Sequence, residues 1–276
     1  MTLNEVIFME KISVIIPTFN RADRIEKSVR SVLDQTYAQL EIIIIDDGSE
    51  DNTEEVVKSI NDERIHYIKN KQNEGASMAR NMGVKYASAS LIAFQDSDDV
   101  WRKDKLQKQM EYWKRNPEYA LVYHSYLLHR LNCEAVSVPY AGTEGNLEGE
   151  IFSTLLQNNT IGTPTILMTK DSFLDCKGFD TSLDCLEDWD FVLRYSQKYA
   201  IGYCNETLLD AYQLEGGISS NPGAFYNCMC KMIAKYKDEL IKYKLFDTVI
   251  MRLFQKAENE GILDLVKEIL FISLAN

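Results

Sequence analysis

Paired cysteines, long apolar runs, excess basic charge and internal repeats are all missing from this chain. Its six cysteines (Cys133, Cys176, Cys185, Cys204, Cys228 and Cys230) include no CxxC pair and no zinc-like grouping, so neither a disulfide framework nor a zinc site is expected. Reduced thiols in the cytoplasm are the simplest reading, with Cys228 and Cys230 packing on a helix. Thirty basic residues against 42 acidic ones leave a net charge of −12, which argues against a nucleic-acid backbone as partner. No stretch approaches the roughly 18 uncharged apolar residues of a membrane-spanning helix. Residues 1–10 carry no basic n-region, long apolar h-region or small-residue cleavage site, so they do not read as a signal peptide. The expected location is cytoplasmic, with peripheral contact at the inner face of a membrane left open.

What is present suffices for a full core: 276 residues, 45% of them apolar and 26% charged, ordinary for a globular protein. The first half alternates strand-like and helix-like segments. Apolar runs at 11–17 (KISVIIP), 41–46 (EIIIID), 65–69 and 91–95 read as strands. Helical spacing fills 22–35, 52–60 (with Asp51 placed to cap it), 77–86 and 103–116. This rhythm predicts an α/β fold with a mainly parallel sheet flanked by helices. After Pro117 the order loosens. We expect strands at 119–128 and 163–168, helices at 150–157 and 186–199, and two or three helices in a C-terminal extension. The division expected is a main domain over 1–222, with halves at about 11–116 and 117–222, and a helical tail over 223–276.

The densest chemistry follows the fourth strand, where Gln95-Asp96-Ser97-Asp98-Asp99 packs three carboxylates into four positions. Like charges that close repel one another. A hard divalent cation sharing phosphate oxygens would relieve the repulsion, and a solvated turn starting the next helix is the alternative. Other strands also end in polar groups, at Pro17-Thr18-Phe19-Asn20-Arg21, Asp46-Asp47-Gly48-Ser49 and Asn73-Glu74-Gly75. In open parallel sheets ligands bind at the carboxyl ends of strands, so these groups should share one crevice. A nucleoside diphosphate would find there an aromatic face in Phe19 and an acceptor for a ring N–H in Asp47. Uracil has that N–H and cytosine lacks it. Asp96 suits ribose hydroxyls, while Asp98 and Arg80 suit a metal-bound diphosphate.

The stretches SVIIPTFNR (13–21), IDDGSEDNT (45–53), NEGASMARNMG (73–83) and FQDSDD (94–99) resemble the successive signatures of glycosyltransferase family 2. GFDTSLDCLEDWDFVLR (178–194) resembles that family's acceptor-side segment. The matches keep the family's order over about residues 11–220, which is more specific than any one alone. The resemblance implies the Rossmann-like GT-A fold, a nucleotide-sugar donor and Mn²⁺ or Mg²⁺. By position it implies that Pro17, Thr18 and Phe19 line the base pocket and Asp47 meets the base edge. It further implies that Arg80 binds the nucleotide, Asp96 the ribose and Asp98 the metal. Asp188 would be the catalytic base, with Glu187 and Trp189 bordering the sugar and acceptor sites. One departure stands out: where the family often has Tyr-Arg-x-His, this chain has Tyr212-Gln213-Leu214-Glu215. Glu215 could still ligate the metal, though it adds negative charge beside phosphates.

The expected activity is inverting transfer of a hexosyl or hexosaminyl unit from a nucleotide sugar, UDP-linked by the Asp47 argument, to a hydroxyl of a saccharide or glycoconjugate. A nucleotidyltransferase is disfavoured because Pro17-Thr18-Phe19-Asn20 contains no glycine to admit a triphosphate. A catalytically inactive nucleotide-sugar or carbohydrate binder on the same fold is the alternative. Self-association through the C-terminal helices is a further expectation.

Overall fold

The computed structural model describes residues 10–130, 133–140, 145–213 and 222–275. Strands β1 (Ile12–Thr18) and β2 (Leu40–Asp46) are buried at every position, as continuous apolar runs in a helix-covered parallel sheet should be. β3 (Ile65–Lys69) and β4 (Leu91–Phe94) complete a four-stranded parallel unit in the order β3-β2-β1-β4. The helices between them are α1 (Ile25–Leu33), α2 (Thr53–Ser59) and α3 (Ala76–Tyr86). α1 buries Ile25, Val29 and Val32, one face of a helix at the expected spacing. The formal N-cap of α2 is Asn52, whose side chain makes no capping bond. Asp51 does part of that work, accepting from the Thr53 N–H at 3.0 Å and from the Ala22 N–H at 3.1 Å.

Beyond β4 the sheet turns mixed. A two-residue β5 (Val100–Trp101) precedes α4 (Lys105–Arg115), followed by β6 (Leu121–His129) and β7 (Val136–Val138). Next come α5 (Phe152–Leu155), a 3₁₀ turn at Thr163–Thr165, β8 (Leu167–Thr169), α6 (Lys170–Asp175), α7 (Glu187–Ser196) and β9 (Gly202–Tyr212). The sheet order continues β4-β8-β6-β9-β5. β8 runs antiparallel to β4 and β6, β9 runs parallel to β6, and β5 antiparallel to β9. The strand expected at 163–168 is thus corrected: Thr163–Thr165 form a 3₁₀ turn around Pro164 and the strand begins at Leu167, because proline cannot donate to a ladder.

Strand alternation sends side chains to two cores. Val14, Ile16, Ile42 and Ile44 pack with α1 and with Leu106 and Met110 of α4. Ile15, Ile43, Ile45 and Phe94 face the other way, onto Phe173, Phe179 and Phe191. α3 lies close against β1 at Gly83, where a Cβ would come within 2.4 Å of Ile15 Cγ2. The tail forms four helices among the described residues, one more than expected: α8 (Pro222–Lys235), α9 (Lys237–Lys242), α10 (Phe246–Asn259) and α11 (Leu263–Ala275). Tyr226, Cys230, Ile233 and Tyr236 of this region join the same apolar cluster as Phe191 and Leu193 of α7.

Candidate functional site

The parallel register brings the polar strand ends together. Thr18 pairs with Asp46 across β1 and β2, and Ile15 pairs with Phe94, so Gln95 and Asp96 emerge beside Ile16 and Pro17. The loop after β1 is stitched to the loop after β2. Asn20 N–H donates to Ser49 Oγ at 2.8 Å, Glu50 N–H to Asn20 Oδ1 at 2.9 Å, and Arg21 N–H to Thr53 Oγ1 at 3.0 Å. Asn20 takes a left-handed conformation with φ 52°, which asparagine tolerates better than most residues. This turn leaves the Phe19 ring 39% exposed, available as a flat face. Thr18 Oγ1 is buried and unpartnered.

Asp47 is buried, and its carboxylate is already well used. It accepts from Asn70 Nδ2 at 2.8 Å, from the Gly75 N–H at 2.7 Å, and from the Glu74 N–H at 3.0 Å to one oxygen and 3.1 Å to the other. Gly48, at φ 84°, permits this: a Cβ there would stand 2.9 Å from the Gln72 carbonyl carbon. Asp47 therefore anchors the 70–75 loop. A base edge meeting it would have to displace or share one of these donors. Asp46, which sequence reasoning passed over, accepts from Tyr67 Oη and from the Ser49 N–H at 2.8 Å.

Arg80 is the hub. It is 6% exposed and bonds two carboxylates from distant segments, Asp96 through Nη2 at 2.7 Å and Glu187 through Nη1 at 2.7 Å. Burial alone would disfavour its charge, but Asp96 and Glu187 outweigh that and hold the guanidinium firmly protonated. Its Nε is buried without a partner. Asp98 stands nearby, with Arg21 Nε 3.7 Å from its Oδ2, beyond hydrogen-bond length, and Arg24 a further cation whose field reaches it. Burial, then the negative field of Asp96, push the Asp98 carboxyl upward against the pull of Arg21. Asp99 is pushed well up by burial and by Asp96 and Asp98, and accepts from the Tyr212 N–H at 3.1 Å, fastening the end of β9.

In the second half of the chain, α7 starts at a left-handed Leu186 (φ 61°) and has no side-chain cap. Trp189 Nε1 donates to the Leu155 carbonyl of α5 at 2.6 Å. Asp188 is half-buried and its Oδ1 accepts from the Trp189 N–H at 2.6 Å. Its carboxyl is pushed up to about 7, by burial first and by Glu187 second, with partial relief from the Trp189 N–H, Arg80 and the Asn159 side chain. Tyr126 of β6 was not foreseen. Its hydroxyl is raised by burial and by the fields of Asp188, Tyr140 and Asp99, so it stands near carboxylates from both halves. Glu215 lies outside the described residues.

A mixed sheet with helices on both faces, and a crevice of carboxylates at the ends of its parallel strands, defines an α/β protein of the GT-A type. Solved structures share this fold. TarS of S. aureus in complex with UDP-GlcNAc superposes at TM-score 0.65 with 23% identity, covering 81% of this chain and 65% of that one. A mannosyltransferase of Pyrobaculum calidifontis in complex with GDP-Man and Mn²⁺ gives TM-score 0.61 at 15% identity, covering 96% of this chain and 75% of that one. Residues 13–167 match the model of glycosyl transferase family 2, and the chain belongs to that family. Relatives include an uncharacterised glycosyltransferase of Rickettsia conorii, 34% identical over 76% of this chain, and one of Haemophilus influenzae, 31% identical over 68%. WfgD of Escherichia coli, named a UDP-Glc:α-D-GlcNAc-diphosphoundecaprenol β-1,3-glucosyltransferase, is 35% identical over 58% of this chain and 60% of its own length. The chain spans 34% of the Rickettsia relative and 62% of the Haemophilus one.

Proposed function

We propose that this chain transfers a sugar with inversion from a UDP-linked donor to a hydroxyl of a saccharide or glycoconjugate, with Asp188 as general base. The observation that carries the reading is the Asp188 carboxyl, pushed up to about 7 and joined through neighbouring Glu187 and Arg80 to Asp96 on the donor side. A base poised near the working pH takes a proton readily in the transition state. Phe19 offers the base a face, Pro17 and Thr18 line the same turn, and Asp96 faces the ribose. The Asp47 anchor shapes the loop under the base. Glu187 and Trp189 border the acceptor. Attack from the face opposite the leaving diphosphate gives inversion.

The donor set after β4 suits a hard divalent cation, Mn²⁺ or Mg²⁺. Asp98 is a partly buried carboxylate whose Arg21 contact stands at 3.7 Å, beyond hydrogen-bond length, and Asp96 lies beside it. Among the described residues no three His, Cys, Asp or Glu side chains converge to hold a metal alone. Asp98 would hold the ion, with Glu215 a further candidate and donor phosphates completing the shell. When bound, the ion neutralises charge on the leaving diphosphate. UDP as the nucleotide and a lipid-linked saccharide as the acceptor accord with the activity for which WfgD is named. No described helix is long and apolar enough to cross a membrane, so such an acceptor would be reached from the surface.

The test is Asp188→Asn, with donor binding followed by calorimetry and transfer by release of UDP. We expect transfer to fall about 10²- to 10⁴-fold while donor affinity stays within a few-fold. A variant that binds donor and still transfers at the wild-type rate removes Asp188 from the mechanism. Donor binding by the wild-type chain with neither transfer nor hydrolysis, across a panel of acceptors, would establish the non-catalytic binder instead.

A further inference from the structure

α7 carries the proposed base in its first turn, yet that turn has neither a side-chain cap nor an ordinary N-cap residue. The first N–H groups of a helix have no intrahelical partner; here the Trp189 N–H is met by the Asp188 carboxylate at 2.6 Å, and no N-cap side chain serves the turn. The turn is held instead by side chains that leave it in three directions. Glu187 reaches Arg80 on α3 at 2.7 Å, Trp189 reaches the Leu155 carbonyl on α5 at 2.6 Å, and Asp190 reaches α8 and the tail region. Asp188 lies between these anchors, accepting from the Trp189 N–H at 2.6 Å and relieved by the Asn159 side chain.

The Asp190 anchor is the most enclosed. Its side chain is 0% exposed, and a carboxylate so placed needs charged or strong donors to remain there. It has three. Arg194 Nε donates at 2.8 Å and Tyr236 Oη at 2.9 Å, and Lys235 Nζ, which also donates to Asp180 at 3.0 Å, forms an ion pair with Asp190 at 2.6 Å. Arg194 sits on α7 itself and passes the bond onward, to the Cys176 carbonyl and to the Gly178 carbonyl at 2.7 Å. Lys235 and Tyr236, the last residue of α8 and the one after it, come from the C-terminal extension. That extension lies beyond the residues matching the family, which end at 167.

We propose that Lys235 and Tyr236 are positioning residues for the transfer reaction, clamping Asp190 so that the first turn of α7 presents Asp188 at the acceptor hydroxyl. The extension is then part of the catalytic unit, and its contribution is orientation of the base. The inference rests on Asp188 being the base and deepens that reading. Misplacing a reacting group by about 1 Å costs on the order of 100-fold in rate, so loosening this clamp should act on turnover while leaving the nucleotide pocket intact.

The experiment compares Lys235→Met/Tyr236→Phe, Lys235→Arg, Asp188→Asn and Val266→Ala in the full chain, measuring kcat, donor KM, donor affinity and Tm. Val266 is fully buried in α11 against α8, so its truncation lowers Tm through packing while removing no donor to Asp190. We expect the double variant to lose about 10- to 100-fold in kcat with donor KM and affinity unchanged, Lys235→Arg to keep most activity, and Val266→Ala to keep kcat despite a lower Tm. Wild-type kcat in a folded double variant overturns the proposal. So does a loss of kcat that tracks Tm equally in the double variant and Val266→Ala. An active Asp188→Asn variant overturns the base assignment itself, a separate outcome from either.

Discussion

At the scale of single residues the site is governed by how carboxylates are compensated. Asp47 and Asp96 are bonded to backbone or guanidinium donors, while Asp98, Asp99 and Asp188 are pushed toward protonation by burial first and then by Asp96, by Asp96 and Asp98, and by Glu187 respectively. For Asp188 the sign is simple. Its base form exists only above its raised pKa, so kcat should climb as pH rises through about 7. A rate profile measured between pH 5.5 and 9 at saturating donor checks this, and a flat profile across pH 6–8 argues against it. The same shift bears on stability. A carboxyl raised in the folded state destabilises the fold progressively as pH rises from the unfolded value of about 4 toward about 7. Asp188→Asn should therefore be slightly more stable than wild type at pH 8, the usual trade between site chemistry and fold stability.

At the scale of elements, the motif around Arg80 has a structural member that sequence alone did not single out. Asn81 Nδ2 donates to the Phe179 carbonyl at 2.9 Å, and the Phe179 N–H donates to Asn81 Oδ1 at 2.9 Å. One amide side chain thus pairs with the backbone of a segment 98 residues away as a neighbouring strand would. Asn81→Ala leaves both groups unmatched, and about 1–3 kcal/mol of stability should be lost, measured by urea unfolding. A change below about 0.5 kcal/mol would show that water replaces the amide.

The first half of the fold was legible because β1, β2, β3 and β4 are short apolar runs bounded by helix signals, and their parallel order follows from that alternation. The longest strand, β9, went unread. Its sequence GYCNETLLDAY is polar in the middle, and its pairing with β6 is shifted at Ser125 and Leu127, so the two-residue period is broken. Without β9 the position of Tyr126 on β6 could not be placed against Asp99 and Asp188. The carboxylates that line the candidate crevice could be picked out by their positions at the strand ends, but their partners could not. Nothing local in Arg80 points to Glu187, 107 residues further along.

At the scale of the whole molecule, α8 helps fill the core that backs α7, so removing the extension would uncover apolar surface in the acceptor half. Self-association is therefore better tested by surface changes than by truncation. Met251 on α10 and Leu265 and Phe271 on α11 are 70%, 54% and 76% exposed, more apolar surface than a solvated helix pair needs. If copies pair through these helices, Leu265→Ser/Phe271→Ser should shift the sedimenting mass to that of one 31.7 kDa chain with Tm nearly unchanged. An unaltered mass would place the association elsewhere or show that there is none.

The Arg80 bridge has a kinetic corollary. One buried guanidinium grips both Asp96 and Glu187, so if Asp96 meets the donor ribose as proposed, the ribose hydroxyl alters the balance of forces on Glu187 before any acceptor arrives. An enzyme wired in this way should take its substrates in a fixed sequence, nucleotide sugar ahead of acceptor, with UDP the last product to leave. Initial-rate patterns should then show UDP competing with the donor and behaving as a non-competitive inhibitor toward the acceptor. Shortening the bridge in Arg80→Lys should relax that sequence toward random entry.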